Sequence, residues 1–243
     1  MIRSIFHILI LTCFSLNITS AQELSSLRLF KKVTTNIAEP SALSFSSDHQ
    51  TLWTVSDNNG SAYSLSLDGK VLSEIKTGGS DLEGIVAHED LEGPCVVLER
   101  VREIVCYDKN WKVLKKKRIP FSGDANSGFE GLTYNPHNQH FYIVNEKKPT
   151  SILELNSDFD IVQISTLNFA KDLSDIFFDS IEQKFWILSH ESKMIFKTDL
   201  SFQIENQYAI PEVVQAEGIS VDSVKRKIYV ISDKDSQFFV YDY

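Results

Sequence analysis

Apolar residues in this chain come in short runs, each closed by a polar residue and followed by turn-forming Gly, Asn, Asp or Pro. Five runs share one form: Trp53-Thr54-Val55-Ser56-Asp57, Cys95-Val96-Val97-Leu98-Glu99, Tyr142-Ile143-Val144-Asn145-Glu146, Trp186-Ile187-Leu188-Ser189-His190 and Tyr229-Val230-Ile231-Ser232-Asp233. Runs this rich in β-branched and aromatic residues, bounded by turn formers, read as strands. Around the first of them, residues 42–45, 51–56, 62–67 and 71–75 are expected as four consecutive strands, with turns at Asn58-Asn59-Gly60 and Asp68-Gly69. Later units repeat the pattern, with turns expected near 88–93, 135–139, 179–183 and 222–225. No stretch sustains an apolar period of 3.6 residues, so almost no helix is expected.

A second phrase precedes each run. Its copies are Glu39-Pro40-Ser41-Ala42-Leu43, Asp81-Leu82-Glu83-Gly84-Ile85, Gly128-Phe129-Glu130-Gly131-Leu132, Asp172-Leu173-Ser174-Asp175-Ile176 and Gln215-Ala216-Glu217-Gly218-Ile219. The central residues of the copies, at 41, 83, 130, 174 and 217, are 42, 47, 44 and 43 positions apart. The polar residue closing the following run stands 16 positions after each, so insertions fall between units and never within them. A period in the forties with four short strands per unit is the signature of a β-propeller. The fifth unit offers strands at 218–221, 227–232 and 238–242 and stops at Tyr243, one strand early. An extra strand at 25–36 can complete it and remove the exposed edges. The expected fold is all-β: one propeller over residues 22–243, five blades of four antiparallel strands, closed by the N-terminal strand in the last blade.

Composition adds a compartment. Arg3, the apolar stretch 5–18 and the small residues Thr19-Ser20-Ala21 read as a secretory signal over residues 1–21. The stretch is too short and interrupted for a membrane span, so the product is expected to be secreted or periplasmic, with membrane attachment only if unprocessed or lipidated at Cys13. The chain carries 24 Lys and Arg against 33 Asp and Glu. Loss of the signal removes Arg3 and leaves a net of −10, which argues against nucleic acid as a partner. The run Lys115-Lys116-Lys117-Arg118 falls on a last strand and reads as a solvated edge. Cys95 and Cys106 flank one hairpin; a disulfide and two reduced strand cysteines are both compatible with that placing.

The chemistry lies in the repeat itself. The central residue of each phrase opens an innermost strand, and the residue 16 later ends its antiparallel neighbour, so both sets meet at one end of the central channel. Where the central residue is Ser41 or Ser174, an acid stands two positions earlier. Ten carboxylates are thus expected around one mouth: Glu39, Asp57, Asp81, Glu83, Glu99, Glu130, Glu146, Asp172, Glu217 and Asp233. Two like charges about 6 Å apart repel by roughly 3 kcal/mol at an effective dielectric of about 20, so several pairs would strain a domain of ordinary stability. A cation, protonation or neighbouring Lys and Arg must offset them. A hard-oxygen donor set with one histidine and no cysteine suits Ca²⁺. All of these acids except Asp81 are the candidate metal ligands. The competing expectation is structural: the acids accept backbone N–H groups of the next blade, with Arg100, Lys147 and Lys234 as counter-charges. His190 is the candidate general base, or a histidine bonded to neighbouring carboxylates. No Gly-x-Ser-x-Gly, His-Glu-x-x-His or glycine-rich phosphate loop is present.

Taken in order, these phrases, with Leu188-Ser189-His190-Glu191-Ser192 paired to Gln215-Ala216-Glu217-Gly218 as the most specific, resemble the SdiA-regulated family of bacterial exported or membrane-associated β-propellers. The resemblance implies a propeller with an acidic, calcium-compatible centre and leaves the activity open. A more distant architectural likeness links the chain to calcium-dependent lactonases of the gluconolactonase and paraoxonase group, with Glu39, Asn145 and Asp233 in the ligand positions. The expectation is an exported monomeric binding module with a divalent cation at its mouth and a small-molecule or protein partner. A calcium-dependent lactonase, esterase or phosphoesterase using the same mouth is the alternative.

Overall fold

The computed structural model describes residues 24–122 and 127–243; the signal segment and Cys13 lie outside the described residues. Twenty strands and no helix are present among them. The chain opens with β1 (Arg28–Thr34). Blade one is β2 (Pro40–Phe45), β3 (Thr51–Ser56), β4 (Ser61–Ser66) and β5 (Val71–Lys76). Blade two is β6 (Leu82–Val86), β7 (Cys95–Leu98), β8 (Glu103–Tyr107) and β9 (Val113–Arg118). Blade three is β10 (Phe129–Asn135), β11 (His140–Asn145), β12 (Ser151–Leu155) and β13 (Ile161–Thr166). Blade four is β14 (Asp175–Asp179), β15 (Lys184–Ser189), β16 (Met194–Thr198) and β17 (Ile204–Ala209). Blade five is β18 (Ala216–Asp222), β19 (Lys227–Ser232) and β20 (Gln237–Asp242), completed by β1.

Each blade is an antiparallel meander, and the five innermost strands stand side by side around the axis in the cyclic order β2, β6, β10, β14, β18. Closure is as the sequence predicts: β1 pairs with β20 from Arg28 opposite Asp242 to Thr34 opposite Gln237. β1 and the last strand, β20, therefore share one sheet. Ser25 adds a further bridge to Tyr208 on the outer strand of blade four.

The burial pattern explains why the sequence reads as runs rather than alternation. Inner and middle strands are covered on both faces by the neighbouring blades, so β2 is buried at every position, whereas the outermost strands are largely exposed. Five apolar clusters fill the five seams between blades. The seam between blades two and three, for example, packs Val97 and Ile104 against Phe129, Leu132 and Ile143. The Lys-rich outer strand β9 is solvated as expected, and its cations reach the next blade: Lys115 pairs with Asp158 at 3.1 Å and Lys117 with Asp160 at 2.6 Å. Cys95 stands directly opposite Cys106 across β7 and β8, and the two form a disulfide.

Candidate functional site

The mouth forms where strand ends meet. Glu83 opens β6 and Glu130 opens β10 one residue into each strand, while Glu99 and Glu146 immediately follow β7 and β11. The register shifts between Leu82 and Gly84, between Phe129 and Leu132, and between Ala216 and Gly218. Glu83, Glu130 and Glu217 thus sit on β-bulges, which re-aim a side chain that regular pleating would send into a seam. The glycine after each glutamate is required by proximity. A Cβ on Gly131 would stand 2.5 Å from Oδ1 of Asp175, and one on Gly218 would stand 2.4 Å from the carbonyl carbon of Ala42. The Glu-Gly phrase therefore combines a bulge that presents an acid with a backbone thin enough for the next blade.

One cavity of about 340 Å³ occupies this end of the channel. It is lined by all nine candidate ligands, Glu39, Asp57, Glu83, Glu99, Glu130, Glu146, Asp172, Glu217 and Asp233, together with Ser41, Ser174, His190 and Gln215. Asp81, the tenth expected acid, does not line it. Asp81 accepts the backbone N–H of Arg100 at 2.8 Å and pairs with the Arg100 guanidinium at 3.2 Å, holding the turn after β7.

Seven of the nine acids fall into three groups by what surrounds them. Glu83, Glu130 and Glu217 are the innermost. Burial pushes Glu83 up to about 9 despite a hydrogen bond from Ser41, with Asp57, Glu217 and Glu99 adding repulsion. Burial pushes Glu217 up to about 8 against hydrogen bonds from Gln215 and Ser174. Glu130 is driven well above the usual carboxylate range, first by burial and then by Glu83, Glu217, Glu99 and Glu146. Asp57, Glu99 and Asp233 form an outer set, half-buried and raised by burial. Glu99 also accepts the N–H of Gly128 at 2.9 Å, and Asp233 accepts from Gln215 at 2.8 Å. Asp172 is committed to its own blade, accepting the hydroxyl of Ser189 and the N–H of Glu191 at 3.0 Å.

Counter-charge is sparse. Lys147 bridges Glu146 at 2.6 Å and Glu191 at 2.8 Å, and Glu146 is the one lining acid with an ion-pair partner among the described residues. Arg100 serves Asp81 rather than Glu99. His190 lines the cavity, and its backbone N–H donates to Ser174 Oγ at 3.3 Å. Burial and then Lys193 push its imidazole down, against the pull of Asp172 and Glu191. No hydrogen bond joins its ring to a carboxylate among the described residues.

A residue absent from the expected set holds the floor of the mouth. Asp175 occupies the place taken by glycine in three other repeats and is 1% exposed. It accepts the N–H of Ile176 at 2.8 Å, of Ile219 in blade five at 2.8 Å and of Leu43 in blade one at 3.2 Å. Burial pushes its carboxyl up, against the pull of those three donors. The structural role expected of the mouth acids is thus concentrated in Asp175, with Glu99 as a lesser case. The lactonase-like trio is not assembled: Asn145 is fully buried, does not line the cavity, and donates to the carbonyls of Lys147 at 2.9 Å and Pro149 at 2.8 Å.

Oxygen donors dominate the cavity, which is the chemistry a hard cation takes. Among the described residues no three His, Cys, Asp or Glu side chains are already gathered at metal-ligand spacing, so a cation would have to draw carboxylates in by rotamer change.

Comparison with solved structures places the chain among propellers of varied activity. It is similar to glutaminyl cyclase of Myxococcus xanthus at a TM-score of 0.70 with 11% identity, over 89% of this chain and 95% of that one. Streptogramin B lyase aligns at 0.54 with 17% identity, over 89% and 73%. Virginiamycin B lyase of Staphylococcus aureus aligns at 0.52 with 18% identity, over 89% and 74%. These likenesses carry the fold alone. The profile of the SdiA-regulated family matches residues 20–242, and the chain belongs to that family.

Proposed function

We propose that this protein is an exported binding module whose mouth takes a divalent cation, Ca²⁺ by the chemistry of its donors. The observation that carries this reading is the concentration of nine carboxylates on one cavity, with a single ion-paired member among the described residues. Like charges confined in a partly desolvated site are costly, and a cation or protons must offset them. Export is supported by the signal-like N-terminus and by the Cys95–Cys106 bridge, which suits an oxidising compartment.

The test is thermal melting of the mature chain, EDTA-treated and then titrated with Ca²⁺, Mg²⁺ and Zn²⁺. A ligand at about 100 times its dissociation constant adds roughly 2.7 kcal/mol to the folded state. For a domain of this size that is a rise of about 5–10 °C. A rise with Ca²⁺ at millimolar or lower concentration supports the reading, and indifference to all three ions sinks it.

A second reading, a calcium-dependent hydrolase, rests on one observation: His190 lines the same cavity, where burial pushes its imidazole down. Its base would take a proton from water beside a metal-polarised lactone, ester or phosphoester. His190→Ala would then remove turnover on a panel of such substrates while leaving the Ca²⁺-induced rise in melting temperature intact. A binding module shows no turnover on that panel in either form.

A further inference from the structure

The channel has a second end. Where the inner strands finish, beyond the layer held by Asp175, a cavity of about 270 Å³ opens on the opposite face. Its walls are as apolar as the mouth is acidic: Phe45, Tyr134, Phe177 and Phe178 contribute rings, with Val86 and Leu132 between them. An apolar cavity of about 150 Å³ is enough to hold benzene, so this one has room for a ring and a substituent. At its rim stand Ile181 and Val224, 68% and 73% exposed, the two most exposed large hydrophobic side chains among the described residues.

One polar group in this wall has a fixed role. His88 packs on Tyr134, ring centroids 5.3 Å apart, and its Nδ1 accepts the backbone N–H of Asp90 at 3.1 Å. That N–H on Nδ1 fits the neutral tautomer with the proton on Nε2, and the Asp90 carboxylate stands 3.5 Å from the same nitrogen. Half-burial pushes the imidazole down, against the pull of Asp90 and Glu89. Nε2 has no hydrogen-bond partner among the described residues, so the wall presents a donor without an acceptor.

Charge narrows the occupant further. Asp179 and Asp222 also line the cavity, and Glu89 and Asp90 stand near His88. Lys225 is engaged by Asp222 at 2.9 Å. A carboxylate ligand would meet net repulsion here, whereas a neutral carbonyl would meet a matched donor. We propose that this end of the channel is a second binding site, for a small neutral ring compound bearing one carbonyl acceptor, held by the aromatic wall and by Nε2–H of His88. This site shares no residue with the acidic mouth and does not depend on the cation reading.

The test is a titration of the ¹⁵N-labelled mature chain with acetophenone, toluene and benzoate, each to its solubility limit. Amide shifts should cluster on His88, Tyr134, Phe177, Ile181 and Val224, with acetophenone binding about fivefold tighter than toluene, the factor one net hydrogen bond supplies. Benzoate should bind more weakly than acetophenone. His88→Leu should reduce acetophenone to the affinity of toluene while toluene binding persists, which shows that the cavity itself is intact. His88→Gln, which keeps a side-chain donor, should restore part of the preference. The proposal is overturned if no probe binds, if the shifts map to the acidic mouth, or if His88→Leu leaves the acetophenone preference unchanged.

Discussion

Glu130 offers the sharpest test of the reading of the mouth. It is the innermost acid most surrounded by its own kind, facing Glu83, Glu217, Glu99 and Glu146, and its carboxyl is pushed far up by burial and by those neighbours. A carboxyl whose pKa is raised on folding holds a proton that the unfolded chain releases above about 4.3. The folded state then binds more protons than the unfolded one, and stability falls as pH rises through that window. Each proton so retained costs about 1.4 kcal/mol per pH unit. With Glu83 at about 9 and Glu217 at about 8 acting in the same direction, the ion-free wild type should lose stability steadily between pH 5 and pH 8. Glu130→Gln is close in shape, cannot ionise and removes one such proton. It should leave the melting temperature near pH 5 almost unchanged and raise stability at pH 8 by about 2–4 kcal/mol, or roughly 5–15 °C for a domain of this size. The assay is melting followed by circular dichroism in EDTA at pH 5, 6.5 and 8. The same variant should respond less to Ca²⁺, because one ligand oxygen has lost its charge. A fall in melting temperature at pH 8, or an unchanged slope, would refute the reasoning: Glu130 would then be an anion held by donors.

Asp175→Ala removes the acceptor of three buried N–H groups in blades one, four and five. At about 1–3 kcal/mol per orphaned donor it should cost at least 3 kcal/mol or prevent folding, measured by urea unfolding; a cost below 1 kcal/mol would show that the floor of the mouth is held by other means. Reduction of Cys95–Cys106, which encloses a loop with a sequence separation of 11, should lower stability by about 3 kcal/mol, read as a drop in melting temperature with dithiothreitol. Removing β1 exposes the whole edge of β20, so a chain starting after Thr34 should aggregate or lose cooperative melting; a soluble, cooperative product would contradict closure by that strand.

The fold and the mouth were legible in the sequence for the same reason: both follow from local spacing. In every unit the residue opening an inner strand and the residue 16 positions later flank a single hairpin, so their meeting needs no knowledge of neighbouring blades. That is why all nine candidate ligands line one cavity. Asp81 misled for a local reason too: the backbone N–H and the guanidinium of Arg100 hold its carboxylate on the turn after β7.

What the sequence did not yield depends on contacts between blades. Asp175 meets the N–H of Leu43 132 residues away and that of Ile219 44 residues away, and nothing in its own repeat marks those donors. The one available signal was a departure from pattern: an acid at the position where Gly84, Gly131 and Gly218 stand in other units. Those glycines are small because a neighbouring blade lies against them, and Gly131 is small because Asp175 itself does. The acid and the glycine are therefore two halves of one packing solution. Blade four turns a carboxylate inwards at this level, and blade three yields the space for it. A repeat protein read one unit at a time treats Asp175 as an imperfect copy. Read around the ring, the imperfect copy is the residue that ties blades one, four and five together beneath the acids.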